Sequence, residues 1–203
     1  MKKMVITLVT LLAAYNISQA QLSYGARAGL NMSKVSFTED DFKTKFQPGF
    51  TIGFYGKYAL NDAMAVQVET FFSREGTKEQ RISSGSKGHI NKSYVQIPVL
   101  FQYKLIKGLY AEAGPQLGIL VASKEKYGSG SLNNIKPNYK PVDIRVPIGV
   151  GYDLNDVVKG LSVDLRYSFS LSKINKVEVG GGNLKNHVIG LTAFYNIGQL
   201  LSK

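Results

Sequence analysis

The chain has 203 residues, no cysteine and a formal net charge of +11. This length suits one domain, and the lack of cysteine excludes disulfides, thiolate metal ligands and an acylated lipoprotein anchor. The positive charge indicates anionic neighbours, namely nucleic acid, acidic polysaccharide or phosphorylated lipid headgroups.

The N-terminal residues have the three parts of a secretory signal peptide. A Lys2-Lys3 pair precedes an apolar stretch, and Ser18-Gln19-Ala20 forms a small-x-small cleavage motif. We predict a signal peptide over residues 1–20 and a mature domain over residues 21–203. The alternative, an uncleaved anchor, is disfavoured because the apolar stretch is too short for a membrane helix. Export also argues against nucleic acid as a partner.

Eight stretches in which apolar and polar residues alternate follow this segment. Such alternation is typical of β-strands. The apolar positions lie within residues 22–32, 50–60, 64–72, 95–105, 109–121, 144–154, 161–171 and 189–197. These stretches exceed the usual strand of about 5–6 residues and reach the about 9–11 residues that a tilted strand needs to cross a bilayer.

The connections between these stretches are alternately long and short. The long ones cover residues 33–47, 74–92, 122–142 and 173–186, and the short ones cover residues 61–62, 106–108 and 155–160. Short periplasmic turns and longer outer loops are typical of outer-membrane barrels. The sequence therefore predicts an all-β fold, an eight-stranded antiparallel up-and-down transmembrane β-barrel with four outward loops.

Alternation alone does not say which face is wet, because a soluble lipocalin-like barrel has the same period. Three features favour the membrane barrel. The polar face is rich in glycine, which suits a crowded lumen, aromatic residues lie near the strand ends on the apolar face, and the central apolar positions carry no charge. We therefore expect apolar side chains outside and polar side chains inside.

Five strings of residues resemble the PorT-like outer-membrane β-barrel family. They are GARAGLN (25–31), VETFFSREG (68–76), YVQIPVL (94–100), YAEAGPQLG (110–118) and LRYSFSL (165–171). The resemblance implies an eight-stranded barrel that is integral to the outer membrane of a diderm bacterium. The name-giving branch is associated with protein secretion, so the resemblance also implies an accessory role in secretion as an alternative function.

Charged residues fall at lumen-facing positions of the predicted strands. We predict a lumen charge network of Arg27, Lys57, Glu69, Lys104, Glu112, Asp164 and Arg166, with Arg145 and Asp153 also facing inward. Side chains nearly fill an eight-stranded barrel, and an isolated buried charge is costly, so these groups have to pair. The first hypothesis is a salt-bridged plug, the alternative is a proton or small-ion path, and no solute pore is expected.

The second to fourth long loops are basic. We predict contacts with anionic outer-leaflet glycolipid at Lys78, Arg81, Lys87, Lys124, Lys126, Lys136 and Lys140. An acidic surface polymer and a plainly solvated loop surface are the alternatives. The expected partners are outer-membrane lipid and glycolipid, with other envelope or secretion proteins as a further alternative and no nucleic acid.

The sequence offers little for catalysis. His89 and His187 are its only histidines, and neither has the neighbours of a metal site. A rim-active lipid-modifying enzyme that uses Ser168 or Ser170, His187 and Glu178 is an alternative that no motif supports. We therefore expect no enzyme, catalytic residue, metal or cofactor, and an integral outer-membrane protein with a structural or interaction role.

Overall fold

The computed structural model describes residues 22–36, 42–81, 87–127, 130–176 and 183–198. The predicted signal peptide lies outside these residues. The described residues form strands and one short 3-10 helix (Lys136–Asn138). The strands are β1 (Leu22–Ser36), β2 (Phe42–Ala59), β3 (Met64–Arg81), β4 (Lys87–Lys104), β5 (Leu109–Ala113), β6 (Gln116–Tyr127), β7 (Asn133–Asn134), β8 (Val142–Asp153), β9 (Leu161–Ser170) and β10 (Lys185–Asn196).

Eight strand positions bond in a closed antiparallel ring. Each strand pairs with its chain neighbours, and β1 closes the ring against β10, with Gly25 opposite Asn196. The successive segments β5 and β6, interrupted at Gly114-Pro115, occupy one position between β4 and β8. This arrangement confirms the predicted eight-stranded barrel.

The side-chain orientation is that of a membrane barrel. Leu30 and Phe54 are 71% and 68% exposed on the outside, whereas Glu69 and Arg145 are each 1% exposed inside. Apolar side chains that face outward in this way belong in lipid. In the described part of the chain, no helix has the length and apolar character needed to cross a membrane, a criterion that does not concern strands.

The strands continue beyond the predicted loop boundaries, so the predicted loops are too long. β1 ends at Ser36 rather than at Met32, the β3–β4 hairpin extends into residues 74–92, and β6 runs to Tyr127. Outside the membrane both faces of a strand can be polar, so the alternation stops while the backbone pairing continues. The strand ends therefore rise above the membrane as a paired wall.

A cluster of buried apolar residues closes the outer end of this wall. Inward side chains of the strand ends meet side chains from the outer loops, and together they form what we call the outer cap: Val35, Ile90, Tyr94, Leu120, Ile135, Tyr139, Ile174 and Leu184. Burial raises the pKa of Tyr139, and the nearby carboxylates of Glu79 and Glu125 add to this shift. The outer loops thus fold over the barrel mouth.

Candidate functional site

Arg166 on β9 is the centre of a buried charge layer in the middle of the barrel. Its Nε donates to Oε1 of Glu112 at 2.8 Å, its Nη2 to Oε1 of Glu69 at 3.0 Å, and its Nη2 also to Oδ2 of Asp164 at 2.6 Å. Arg27 forms a second ion pair with Glu69 and stacks on the ring of Phe71, 3.6 Å from its centroid. We call these five charged residues the lower layer.

A second buried charge layer lies nearer the outer end. Arg145 donates from both Nη atoms to Glu75, each at 2.9 Å, and from Nε to Oδ2 of Asp143 at 2.7 Å. The Asn186 side chain donates to the same Asp143 oxygen at 2.7 Å and accepts from Lys92 Nζ at 3.2 Å. We call this group the upper layer.

The sequence does not predict the upper layer as a unit. It predicts that Arg145 faces inward but that Glu75 and Lys92 lie in a loop, although both residues continue the inward-facing alternation of their strands. That alternation is the signal that could have found them. Between the layers lies a cavity of about 30 Å³ lined by Arg27, Arg145 and Arg166. Its volume is roughly that of one water molecule in the liquid.

Lys57 and Lys104 lie away from the lower layer, at the periplasmic mouth. Both line a cavity of about 330 Å³ that is bordered by the short turns. Lys57 Nζ lies 5.9 Å from the ring centroid of Tyr110, and Lys104 is exposed. Of the seven residues in the predicted network, the structure therefore brings five into the lower layer and leaves these two at the mouth.

One exposed ion pair joins two of the periplasmic turns. Lys107 Nζ lies 2.7 Å from Oδ2 of Asp156, and the two side chains are 84% and 72% exposed. The hydrogen bond to Asp156 and the charge of that carboxylate raise the pKa of Lys107. Exposed pairs of this kind contribute little to stability.

The residues of the alternative enzyme site lie on opposite sides of the barrel wall. Ser168 and Ser170 are buried and inward, and Ser170 Oγ accepts from the Asn186 backbone N–H at 3.1 Å. His187 faces outward, with Nδ1 2.7 Å from the Tyr167 hydroxyl and Nε2 3.1 Å from Ser36 Oγ. Glu178 lies outside the described residues. Within the described ranges, no group of three or more His, Asp or Glu side chains could hold a metal ion.

Two groups of basic residues can be distinguished by position on the outer surface. Outward-facing Lys34, Arg74 and Lys124 follow closely after the last outward apolar residues of their strands, and we call them the basic belt. Further out, a cavity of about 650 Å³ is lined by lysines from four strands, and we call it the lysine groove: Lys43, Lys45, Lys78, Lys87 and Lys126.

The predicted glycolipid contacts are distributed over both groups and beyond them. Lys78, Lys87 and Lys126 line the lysine groove, and Lys124 lies in the basic belt. Lys136 is exposed on the 3-10 helix, Lys140 is half-buried beside it, and the side chain of Arg81 is outside the described ones. Lys34, Lys43, Lys45 and Arg74 are not among the predicted contacts. The three lysines lie near the acidic Glu39-Asp40-Asp41 stretch, which is outside the described residues, and this stretch makes the first loop look different from the three basic ones.

Comparison with solved structures identifies similar barrels. Neisserial surface protein A is 15% identical with a TM-score of 0.50, covering 87% of this chain and 99% of that chain. Ail, the attachment invasion locus protein of Yersinia pestis, is 18% identical with a TM-score of 0.49 and the same coverage. OprG from Pseudomonas aeruginosa is 10% identical with a TM-score of 0.35, covering 86% and 91%. At 15% identity, the likeness to neisserial surface protein A shows the fold alone.

Comparison by sequence identifies the family. No curated protein matches the chain. The family described as outer membrane protein beta-barrel domain matches residues 17–176, which is more than half of the chain. The match agrees with the closed ring of strands and with the apolar outer face. The chain belongs to the outer membrane protein beta-barrel domain family and is an integral protein of the bacterial outer membrane.

Proposed function

We propose that this protein is a closed outer-membrane barrel that works by binding, and that its basic belt holds the phosphates of outer-leaflet glycolipid. The observation that carries the proposal is the position of Lys34, Arg74 and Lys124 directly above the apolar band. The filled interior supports it, because the buried side chains of the two charge layers and of the outer cap occupy the inside of the described strands.

The height of the belt matches the headgroup layer. Lys34 follows the exposed Met32 and Arg74 follows Phe72 by two positions, which places them about 5 Å above the apolar edge for a rise of about 3.3 Å and a tilt of about 40°. Lys124 follows Val121 by three positions, or about 8 Å. Each headgroup layer is roughly 5–8 Å thick, so these cations lie at the level of lipid phosphates.

The test compares glycolipids with and without phosphate. The full chain is reconstituted with equal amounts of bis-phosphorylated and dephosphorylated lipid A in neutral lipid, and retained lipid is measured by native mass spectrometry. Wild type is expected to retain the phosphorylated form, and the triple variant Lys34→Gln, Arg74→Gln, Lys124→Gln is expected to lose roughly 1 kcal/mol of preference per charge.

A matched control variant removes three positive charges from the periplasmic side of the barrel. The variant Lys104→Gln, Lys107→Gln, Lys159→Gln acts at the periplasmic mouth and turns, and it is expected to keep the wild-type preference. Equal retention of both lipids by wild type would contradict the proposal. So would an equal loss of preference in the belt and control variants.

The narrower PorT-like relationship and the accessory role in secretion stay predictions. They are supported by the five residue strings that resemble that family. Cross-linking in the native envelope, followed by purification of the intact complex, tests this role. A stoichiometric partner from a secretion assembly would support it, and recovery of the barrel with glycolipid alone would count against it.

A further inference from the structure

Four basic residues form a continuous row across four neighbouring strands. Lys45 of β2 lies opposite Lys78 of β3, Lys78 lies opposite His89 of β4, and His89 lies opposite Lys126 of β6. Directly opposite residues of antiparallel strands point to the same face. The row therefore runs over the outside of the barrel wall, and at about 4.8 Å per strand it spans about 14 Å.

A second, shorter row lies beside the first. Lys43 is opposite Gln80, and Gln80 is opposite Lys87, so two further ammonium groups face the same groove. Of the described residues that line the groove, Glu79 is the single acidic one, and its side chain is buried. The groove therefore presents five lysines around a volume of about 650 Å³.

This arrangement works against folding. Like charges placed directly opposite each other on paired strands are destabilising, and Lys45 and Lys78 have this relation. In the lower and upper layers, by contrast, buried arginine side chains are paired with carboxylates. Among the described residues that line the groove, no acidic side chain shares the outer face with this row, and an anion that binds there explains the arrangement.

The groove is too high for lipid phosphates. Lys78 follows Phe72 by six positions along β3, which places it about 15 Å above the apolar edge at a tilt of about 40°. The headgroup layer is only roughly 5–8 Å thick. A ligand here reaches the groove from the cell surface or from the sugar region above the lipid.

We propose that the lysine groove binds a linear acidic polysaccharide, which lies across the strands along the row from Lys45 to Lys126. The row is longer than a single phosphate group, and its charges are spaced regularly, so a chain with repeated anionic groups can contact several lysines at once. This ligand is distinct from the glycolipid of the proposed function, and the two sites are at different heights.

The experiment uses the full chain in nanodiscs of phosphatidylcholine, with dextran sulfate as the probe and uncharged dextran as the reference. Wild type is expected to bind dextran sulfate and not dextran, and the affinity is expected to fall with added salt. The triple variant Lys45→Gln, Lys78→Gln, Lys126→Gln is expected to bind on the order of 100-fold more weakly, from about fivefold for each lysine.

The periplasmic variant Lys104→Gln, Lys107→Gln, Lys159→Gln is the matched control, since it loses the same charge and is expected to keep wild-type affinity. An affinity of the groove variant within twofold of wild type would overturn the proposal. So would an equal loss in the control variant, or tighter binding of an acidic peptide of the same charge. If inorganic phosphate at equal charge concentration displaces dextran sulfate, the groove binds single small anions, and the proposal of a site for a linear polyanion is overturned.

The two proposals fail separately. The belt variant is expected to retain dextran sulfate binding, and the groove variant is expected to retain the preference for phosphorylated lipid A. Loss of polysaccharide binding in the belt variant alone would overturn the assignment to the groove. Gel mobility before and after heating confirms that each variant is a folded barrel before its affinity is measured.

Discussion

Replacement of Arg166 by methionine should destabilise the barrel strongly. Methionine fills a similar volume but donates no hydrogen bond, so Glu69, Glu112 and Asp164 each lose a guanidinium contact. The lower layer changes from two guanidinium groups and three carboxylates to one guanidinium group and three carboxylates. All of these side chains are buried, so water does not replace the missing partner.

The magnitude follows from what remains unpaired. Removal of one member of a buried ion pair costs about 3–5 kcal/mol, and here the removed residue is shared by three carboxylates. The matched variant Glu69→Gln removes one carboxylate instead and leaves two guanidinium groups with two carboxylates. Glu69 pairs with both Arg27 and Arg166, but glutamine keeps an acceptor oxygen for them and leaves the numbers of positive and negative groups equal. We therefore expect Glu69→Gln to cost about 1–3 kcal/mol from weaker hydrogen bonds, and Arg166→Met should exceed it by about 2 kcal/mol.

The assay is urea unfolding of each variant in lipid vesicles, followed by far-UV circular dichroism and by gel mobility without heating. The free energy of unfolding is compared at matched denaturant slopes, because a changed slope would mean a changed unfolded state. Repeating the titration at lower pH adds a second check. Protonated carboxylic acids are neutral and do not need the missing guanidinium. The difference in free energy of unfolding between wild type and Arg166→Met should therefore become smaller at lower pH.

Two results would refute this reasoning. One is a Glu69→Gln variant that is as unstable as Arg166→Met, which would mean that the carboxylate excess has no cost. The other is a deficit of Arg166→Met that is unchanged at low pH, which would mean that lost packing rather than unpaired charge destabilises the variant.

Three further predictions concern the filled interior. The purified protein in planar bilayers should show no stable single-channel steps, and persistent openings would contradict a sealed barrel. Ile174→Ala in the outer cap should cost about 2–5 kcal/mol locally, seen as faster hydrogen exchange of the outer strand ends at unchanged gel mobility; uniform exchange would argue against a separate cap. Gly151→Ala should cost about 1–3 kcal/mol in urea unfolding because a methyl group there overlaps the Tyr110 ring, whereas Gly190→Ala, with its nearest atom at 3.7 Å, should be better tolerated.

The barrel could be predicted from the sequence because lipid imposes a strict rule on each spanning residue. Between Leu22 and Met32, every second side chain faces lipid and is apolar or small, and the same rule holds in the other seven strand positions. Closure of the ring also follows, since an open sheet edge in lipid leaves backbone groups without partners. The alternation of apolar and polar residues is therefore what predicts the fold, and strand propensities add little to it.

The outer third of the molecule could not be predicted in the same way. Above the membrane the outward face of β3 carries Arg74 and Lys78, so polar residues lie on both faces and the period of two disappears. The outer cap depends on Ile135 and Ile174, which are single apolar residues in polar surroundings. Their burial results from loops that fold over the mouth, and no local pattern encodes that contact.

The alternation of residues along a strand predicts which charged side chains face the lumen. Which of these side chains form ion pairs depends on their height along the barrel axis and on the strands beside them. Arg166 reaches Glu69 across the barrel, a contact between residues far apart in the chain, whereas Lys57 faces the same lumen and lies at the mouth. The interior charges are thereby matched by partners. The belt and groove charges of the described outer surface are clustered with one sign. Clusters of like charge oppose folding, and we explain these clusters by the binding of anions.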